Sequence, residues 1–120
     1  MKRVLIVDDA SFIRLALKIM LEKHGFEVVG EAENGAIGVK KYEQLQPDLI
    51  TMDITMPEMT GIEALKAIKQ MNPKAKVVMV SAMGQESFVK EAIINGASHF
   101  LIKPLVEDNV INTLTKVANM

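Results

Sequence analysis

Three carboxylates, a hydroxyl and an ammonium stand at the carboxyl ends of four short apolar runs. Asp8-Asp9 follow Val4–Val7, Asp53 follows Leu49–Met52, Ser81 follows Val77–Val80 and Lys103 follows Phe100–Ile102. Brought together, Asp8, Asp9 and Asp53 would repel one another unless a cation joined them. An all-oxygen ligand set selects a hard ion such as Mg²⁺ over zinc. A carboxylate left partly free beside that ion can attack phosphorus and become an acyl phosphate. Lys103 and the Ser81 hydroxyl would share the charge of the transferred group, which is most of what phosphoryl transfer demands. Ala82 is small and leaves a path for a donor.

Taken singly, each residue has a plainer reading. Asp8-Asp9 suit a helix N-cap pair and Asp53 a structural cap. Ser81 suits a turn, and Lys103 a solvated surface. Only elements that carry all five to one place make the chemistry possible.

The periodicity supplies such elements. Apolar runs predict strands at Arg3–Val7, Glu27–Val29 with its neighbours, Asp48–Met52, Lys76–Val80 and His99–Ile102. Helical spacing predicts helices over 11–24, 35–45, 62–71, 86–95 and 106–118. In the first, Phe12, Leu15, Ala16, Ile19 and Met20 fall on one face, the expected core stripe. Gly25 and Gly96 read as helix-ending residues, and Asn34-Gly35 and Asn72-Pro73 as turns. Strands that alternate with helices predict an α/β fold, a parallel sheet with five helices on both faces. The expected strand order is 2-1-3-4-5, flavodoxin-like, with the site where the winding reverses, beyond strands 1 and 3. Asp8, Asp9 and Asp53 lie there.

Composition narrows the alternatives. The 120 residues suffice for a single domain, 1–120, and the net charge of −1 with dispersed basic residues argues against nucleic-acid binding. No apolar run approaches a membrane span, and the basic, apolar start is too short for a signal peptide. Zero cysteines exclude disulfides and thiolate chemistry. A cytoplasmic monomer is expected. His24 and His99 lack a second ligand at metal spacing, and the methionines 52, 56, 59, 71, 79 and 83 read as packing.

The segments VLIVDDASFIR, PDLITMDITMPEMTG, VVMVSAM and HFLIKP, in this order and spacing, resemble the response-regulator receiver domains of two-component signalling. The resemblance covers essentially the whole chain and is nearest to single-domain chemotaxis members. It implies that Asp53 accepts a phosphoryl group from a histidine kinase. It implies further that Asp9, Asp53 and the backbone carbonyl of Thr55 bind Mg²⁺ directly, with Asp8 acting through water. Lys103 would contact the phosphoryl group, and the Lys103–Pro104 peptide would be cis. Ser81 and Phe100 match the family's switch hydroxyl and switch aromatic. The output face would be helix 4, strand 5 and helix 5, and the partner a flagellar motor switch protein. Phenylalanine in place of the frequent tyrosine keeps the packing and loses a hydroxyl. Thr55 and Met83 flank the site where other members carry an amide or acid that orients water. A long-lived aspartyl phosphate, or reliance on a separate phosphatase, is therefore expected.

Rival readings meet specific obstacles. A haloacid-dehalogenase-type phosphohydrolase begins Asp-x-Asp, whereas Asp53-Ile54-Thr55 lacks the second acid, and no cap domain is present. An FMN binder would need a Ser/Thr/Gly-rich loop in place of Asp8-Asp9-Ala10-Ser11. A receiver in a phosphorelay outside motility stays open. With no room for a DNA-binding or catalytic output domain, output is expected through protein contact and not through enzymatic turnover.

Overall fold

In the computed structural model, which describes residues 1–120, strands and helices alternate without exception. They are β1 (Arg3–Val7), α1 (Ser11–Lys23), β2 (Glu27–Ala32), α2 (Gly35–Leu45), β3 (Leu49–Asp53), α3 (Gly61–Met71), β4 (Val77–Ser81), α4 (Glu86–Ile94), β5 (His99–Ile102) and α5 (Glu107–Ala118). The strands pair in parallel in the order β2-β1-β3-β4-β5. All residues of β3 and β4 are buried, which explains their unbroken apolar runs. Both strands run one residue further than the apolar pattern suggests, so Asp53 and Ser81 end their strands and do not follow them.

Alternate side chains of the sheet feed two cores. Leu5, Val7, Ile50, Met52, Val77 and Met79 meet α3 and Tyr42 of α2 on one face. Val4, Ile6, Val78, Val80 and Leu101 meet Leu17 and Leu21 of α1 and Val110, Leu114 and Val117 of α5 on the other. Because both faces are covered, chemistry is confined to the strand ends.

Four local expectations need correction. On α1 the buried stripe is Leu17 and Leu21, with Ile13 and Met20 packed beside them; Phe12 is 72% exposed, and Leu15 and Ile19 also face outward. This helix carries apolar residues around most of its circumference, so periodicity alone could not choose its inner face. Asn34 is not merely a turn residue: its side chain caps α2 by accepting the Ile37 amide proton at 2.9 Å. Neither Asp8 nor Asp9 is the N-cap of α1; that position belongs to Ala10, without a side-chain cap. Among the methionines, Met52, Met56 and Met79 are buried, whereas Met71 and Met83 are exposed. Gly25 (φ 87°) and Gly96 (φ 98°) do take the left-handed conformation expected after a helix.

Candidate functional site

β1 and β3 are neighbours, and their register places Val7 beside Met52. The residues that follow, Asp8 and Asp53, are therefore delivered side by side to the sheet's carboxyl edge. Asp9 completes the group, and ligand atoms of Asp8, Asp9 and Asp53 all lie within 4.8 Å of one another. Asp8 and Asp53 are buried, and Asp9 is exposed.

Asp8 is held from two sides. Its Oδ1 accepts the Ala10 amide proton at 2.9 Å, and its carbonyl accepts from the Arg14 guanidinium, which also bonds Glu31 at 3.1 Å. Its other carboxylate oxygen is buried without a hydrogen-bond donor. The nearest cation is Lys103, whose Nζ is 3.3 Å from that oxygen and 3.7 Å from Oδ1 of Asp53. Lys103 thus bridges the two buried carboxylates from the end of β5. The peptide that follows it, Lys103–Pro104, is cis, as the resemblance implied.

One ammonium does not balance three carboxylates. Burial, and next the charge of Asp8, push the Asp53 carboxyl up to about 7; Lys103 opposes this and Asp9 adds to it. An unsatisfied buried oxygen, a carboxyl whose ionisation is disfavoured first by burial and next by the charge of Asp8, and three converging oxygen ligands together fit a hard divalent cation.

A tight loop brings β3 to α3. Gly61 donates its amide proton to the Ile54 carbonyl at 2.8 Å, so close to the strand end that a Cβ there would lie 2.0 Å from the Asp53 carbonyl oxygen. Thr60 and Glu63 then form a reciprocal capping box that starts α3. Thr55 is exposed in this loop.

Across the cleft, Ser81 is buried and its hydroxyl donates to the Leu101 carbonyl at 3.4 Å, the long end of hydrogen bonding. Phe100 is half-buried and tilts against His99, with ring centroids 5.8 Å apart. Ser81 and Phe100 line one apolar groove of about 530 Å³ together with Val89 and Ile102. Met83 is 79% exposed at its rim.

All the predicted residues thus stand at one edge: Asp8, Asp9 and Asp53 in mutual reach with Lys103 beside Asp8 and Asp53, Ser81 and Phe100 on the adjoining groove, and Thr55 and Met83 on the two flanking loops. Two residues of the site lack an obvious sequence signal. Arg14, six residues past Asp8, anchors the Asp8 carbonyl from the first turn of α1. Gln85 bridges the two loops: its amide nitrogen donates to Thr55 Oγ1 at 2.6 Å, and its oxygen accepts the Ala82 amide proton at 2.7 Å.

Fold and site together define an α/β module of flavodoxin-like order with an acidic, cation-ready cleft at its switch point. Residues 4–115 match the model of the response regulator receiver domain, and the chain belongs to that family. It is 56% identical over 117 residues to the chemotaxis protein CheY of Bacillus subtilis, covering 98% of each chain. It is 54% identical over 117 residues to the CheY of Thermotoga maritima, again across 98% of both. Among solved structures, it is similar to the response regulator domain of Thermotoga maritima CheB, with a TM-score of 0.88, 39% identity and coverage of 100% of this chain and 98% of that one. A chain from the CheX-CheY-BeF3-Mg²⁺ complex of Borrelia burgdorferi gives a TM-score of 0.93 at 38% identity, over 97% of this chain and 88% of that chain.

Proposed function

We propose that this receiver domain, spanning 1–120, is a phosphoacceptor in which Asp53 takes a phosphoryl group from a histidine kinase. The reading rests above all on the Asp53 carboxylate standing in reach of Asp8, Asp9 and Lys103 at the switch point of the sheet. An Asp53 oxygen attacks the phosphorus of a phosphohistidine. The new O–P bond forms as the N–P bond breaks, and the electron pair returns to the departing imidazole. Lys103, already 3.7 Å from Asp53, shifts its charge from carboxylate toward phosphoryl oxygens as these arrive. Asp8, fixed by Ala10 and Arg14, holds that ammonium in line. Asp8, Asp9, Asp53 and the Thr55 carbonyl would hold Mg²⁺, which when bound supplies the positive charge this acidic cleft and the phosphoryl oxygens lack.

The output follows from the groove. Ser81 is held only by its long bond to Leu101, so turning its hydroxyl toward the phosphoryl group sacrifices little. Phe100 lies against the space beside it and can fill that space. The two movements would rebuild the face of α4, β5 and α5, where Ile94 is 82% exposed and Ile102 and Val106 also face solvent. A change of about one negative charge at Asp53 is thereby converted into a change of surface. The chemotaxis relatives, matched over nearly their full length, support a flagellar motor switch protein as the partner that reads it. The protein would work in the cytoplasm as a monomer and as a signalling acceptor, not a turnover enzyme. With Thr55 tied to Gln85 and Met83 apolar, neither flanking side chain is placed to activate water, so a separate phosphatase would end the signal.

Incubation with a small phosphodonor and Mg²⁺, read by intact mass, tests the acceptor; a mass gain in the native protein and none in Asp53→Ala is expected. Absence of an Asp53-dependent gain sinks the reading. Binding to the N-terminal segment of a motor switch protein, compared before and after phosphorylation, tests the motility assignment: tighter binding of the phosphorylated form is expected.

A further inference from the structure

A parallel ladder continued past Asp53 would have the Ala82 amide donate to the Ile54 carbonyl, because the Ile54 amide already donates to Val80 at 3.0 Å. That carbonyl is taken instead by Gly61 at 2.8 Å. The Ala82 amide, next in chain to Ser81, is left over at the mouth of the site, and the Gln85 side-chain oxygen receives it at 2.7 Å. The nitrogen of the same carboxamide donates to Thr55 Oγ1 at 2.6 Å, so one planar group ties the β4–α4 loop to the β3–α3 loop. Gln85 occupies the N-cap position of α4 yet makes no side-chain cap bond there. Its polar atoms serve the tie across the cleft and not the helix.

We propose that Gln85 is a positioning residue, a clasp that holds the two loops together over the unmodified site and must let go when Asp53 is phosphorylated. The inference rests on the phosphoacceptor reading of Asp53 and adds to it a residue that sets how readily the site is modified. A phosphoryl group on Asp53 brings new acceptor oxygens to the same mouth, where they compete with the Gln85 oxygen for the Ala82 amide. It also needs room between the loops that the clasp holds closed. Bonds present only in the unmodified form oppose the modified one by their own free energy. Loss of the clasp therefore favours modification, by about two- to tenfold for bonds of ordinary net strength.

The test uses the full chain with Gln85→Met, of similar length and without hydrogen bonds, and Thr55→Val, which keeps the backbone carbonyl. In the unmodified protein, the Ala82 amide proton should shift upfield in Gln85→Met. Beryllofluoride with Mg²⁺, as a phosphoryl mimic, should bind Gln85→Met about two- to tenfold more tightly than the native protein. Thr55→Val should gain less, and the double variant no more than Gln85→Met alone, since both changes open the same tie. Equal or weaker binding by Gln85→Met, or gains that simply add in the double variant, would overturn the clasp. If the native protein binds no beryllofluoride, the reading of Asp53 fails instead. The Ala82 amide still decides the clasp in that case, because an unmoved resonance in Gln85→Met means there was no bond to lose.

Discussion

The cleft lies between two helices that begin very differently. α3 starts with a capping box, buries Gly61, Ile62, Ala64, Leu65 and Ile68, and presses its first residue against the backbone of Asp53. α4 starts without a side-chain cap, buries only Ala92, and leaves Phe88, Ile93 and Ile94 in solvent. One wall of the site is therefore built into the core, and the other rests on it. A phosphoryl group arriving between them, as proposed, would displace the less embedded wall first, so the switch is expected at β4–α4 while β3 keeps its place.

The largest expected effect comes from the fixed wall. A Cβ at Gly61 would meet backbone atoms of Asp53 and Ile54 that cannot turn aside, so Gly61→Ala should cost about 3 kcal/mol, the upper part of the overpacking range. Gly84, at φ 88° before α4, has open space around it, and Gly84→Ala should lose only the left-handed penalty of about 1 kcal/mol. Urea denaturation of both variants gives the comparison, and a similar cost at the two positions would erase the distinction between the walls.

Next is the pH response of the acid cluster between the walls. Burial, then the charge of Asp8 and more weakly Asp9, push the folded Asp53 carboxyl from an ordinary 3.8 up to about 7, against the opposing pull of Lys103. A raised folded value stabilises the protonated form, so this contribution is complete below about 3.8 and is lost as pH rises through about 7. In chelator, native protein should lose stability relative to Asp53→Asn across that window, and added Mg²⁺ should shrink the loss. A flat difference would mean that the carboxylates are not in tension.

Smaller effects distinguish the helices themselves. Amide exchange in α4 should outpace that in α3 by about tenfold, as expected of the element with less buried apolar contact. Thr60→Ala removes one half of the capping box and should cost about 1 kcal/mol by thermal or urea unfolding. Equal exchange in the two helices would argue that the cap and the buried face do not set their order.

Much of this was legible in the sequence. His99–Ile102 is the strand the pattern predicts, and β3 and β4 differ from their predicted ends by single residues. The one-residue extension matters chemically, since it makes Asp53 and Ser81 part of rigid strands. Phe12, Leu15 and Ile19 were the clearest misreading. A 3.6-residue period says which residues share a face, but not which of two apolar faces the sheet will cover, and here Leu17 and Leu21 are covered. Gln85 was missed for a different reason: its partner Thr55 lies thirty residues away, and a glutamine after Gly84 has no local mark of a tie.

By itself the sequence determined the alternation of strands and helices and the edge at which Asp8, Asp9, Asp53, Ser81 and Lys103 gather. Both depend on local apolar runs and on what must follow them, and the roles proposed for these residues come from the resemblance. Tertiary structure alone decided that Lys103 spans Asp8 and Asp53, that Gly61 closes on the Asp53 backbone, and that Gln85 takes the amide Gly61 displaced. Those are matters of angstroms between distant segments. They are settled only when both sheet faces are packed and each polar group at the strand ends must find a partner.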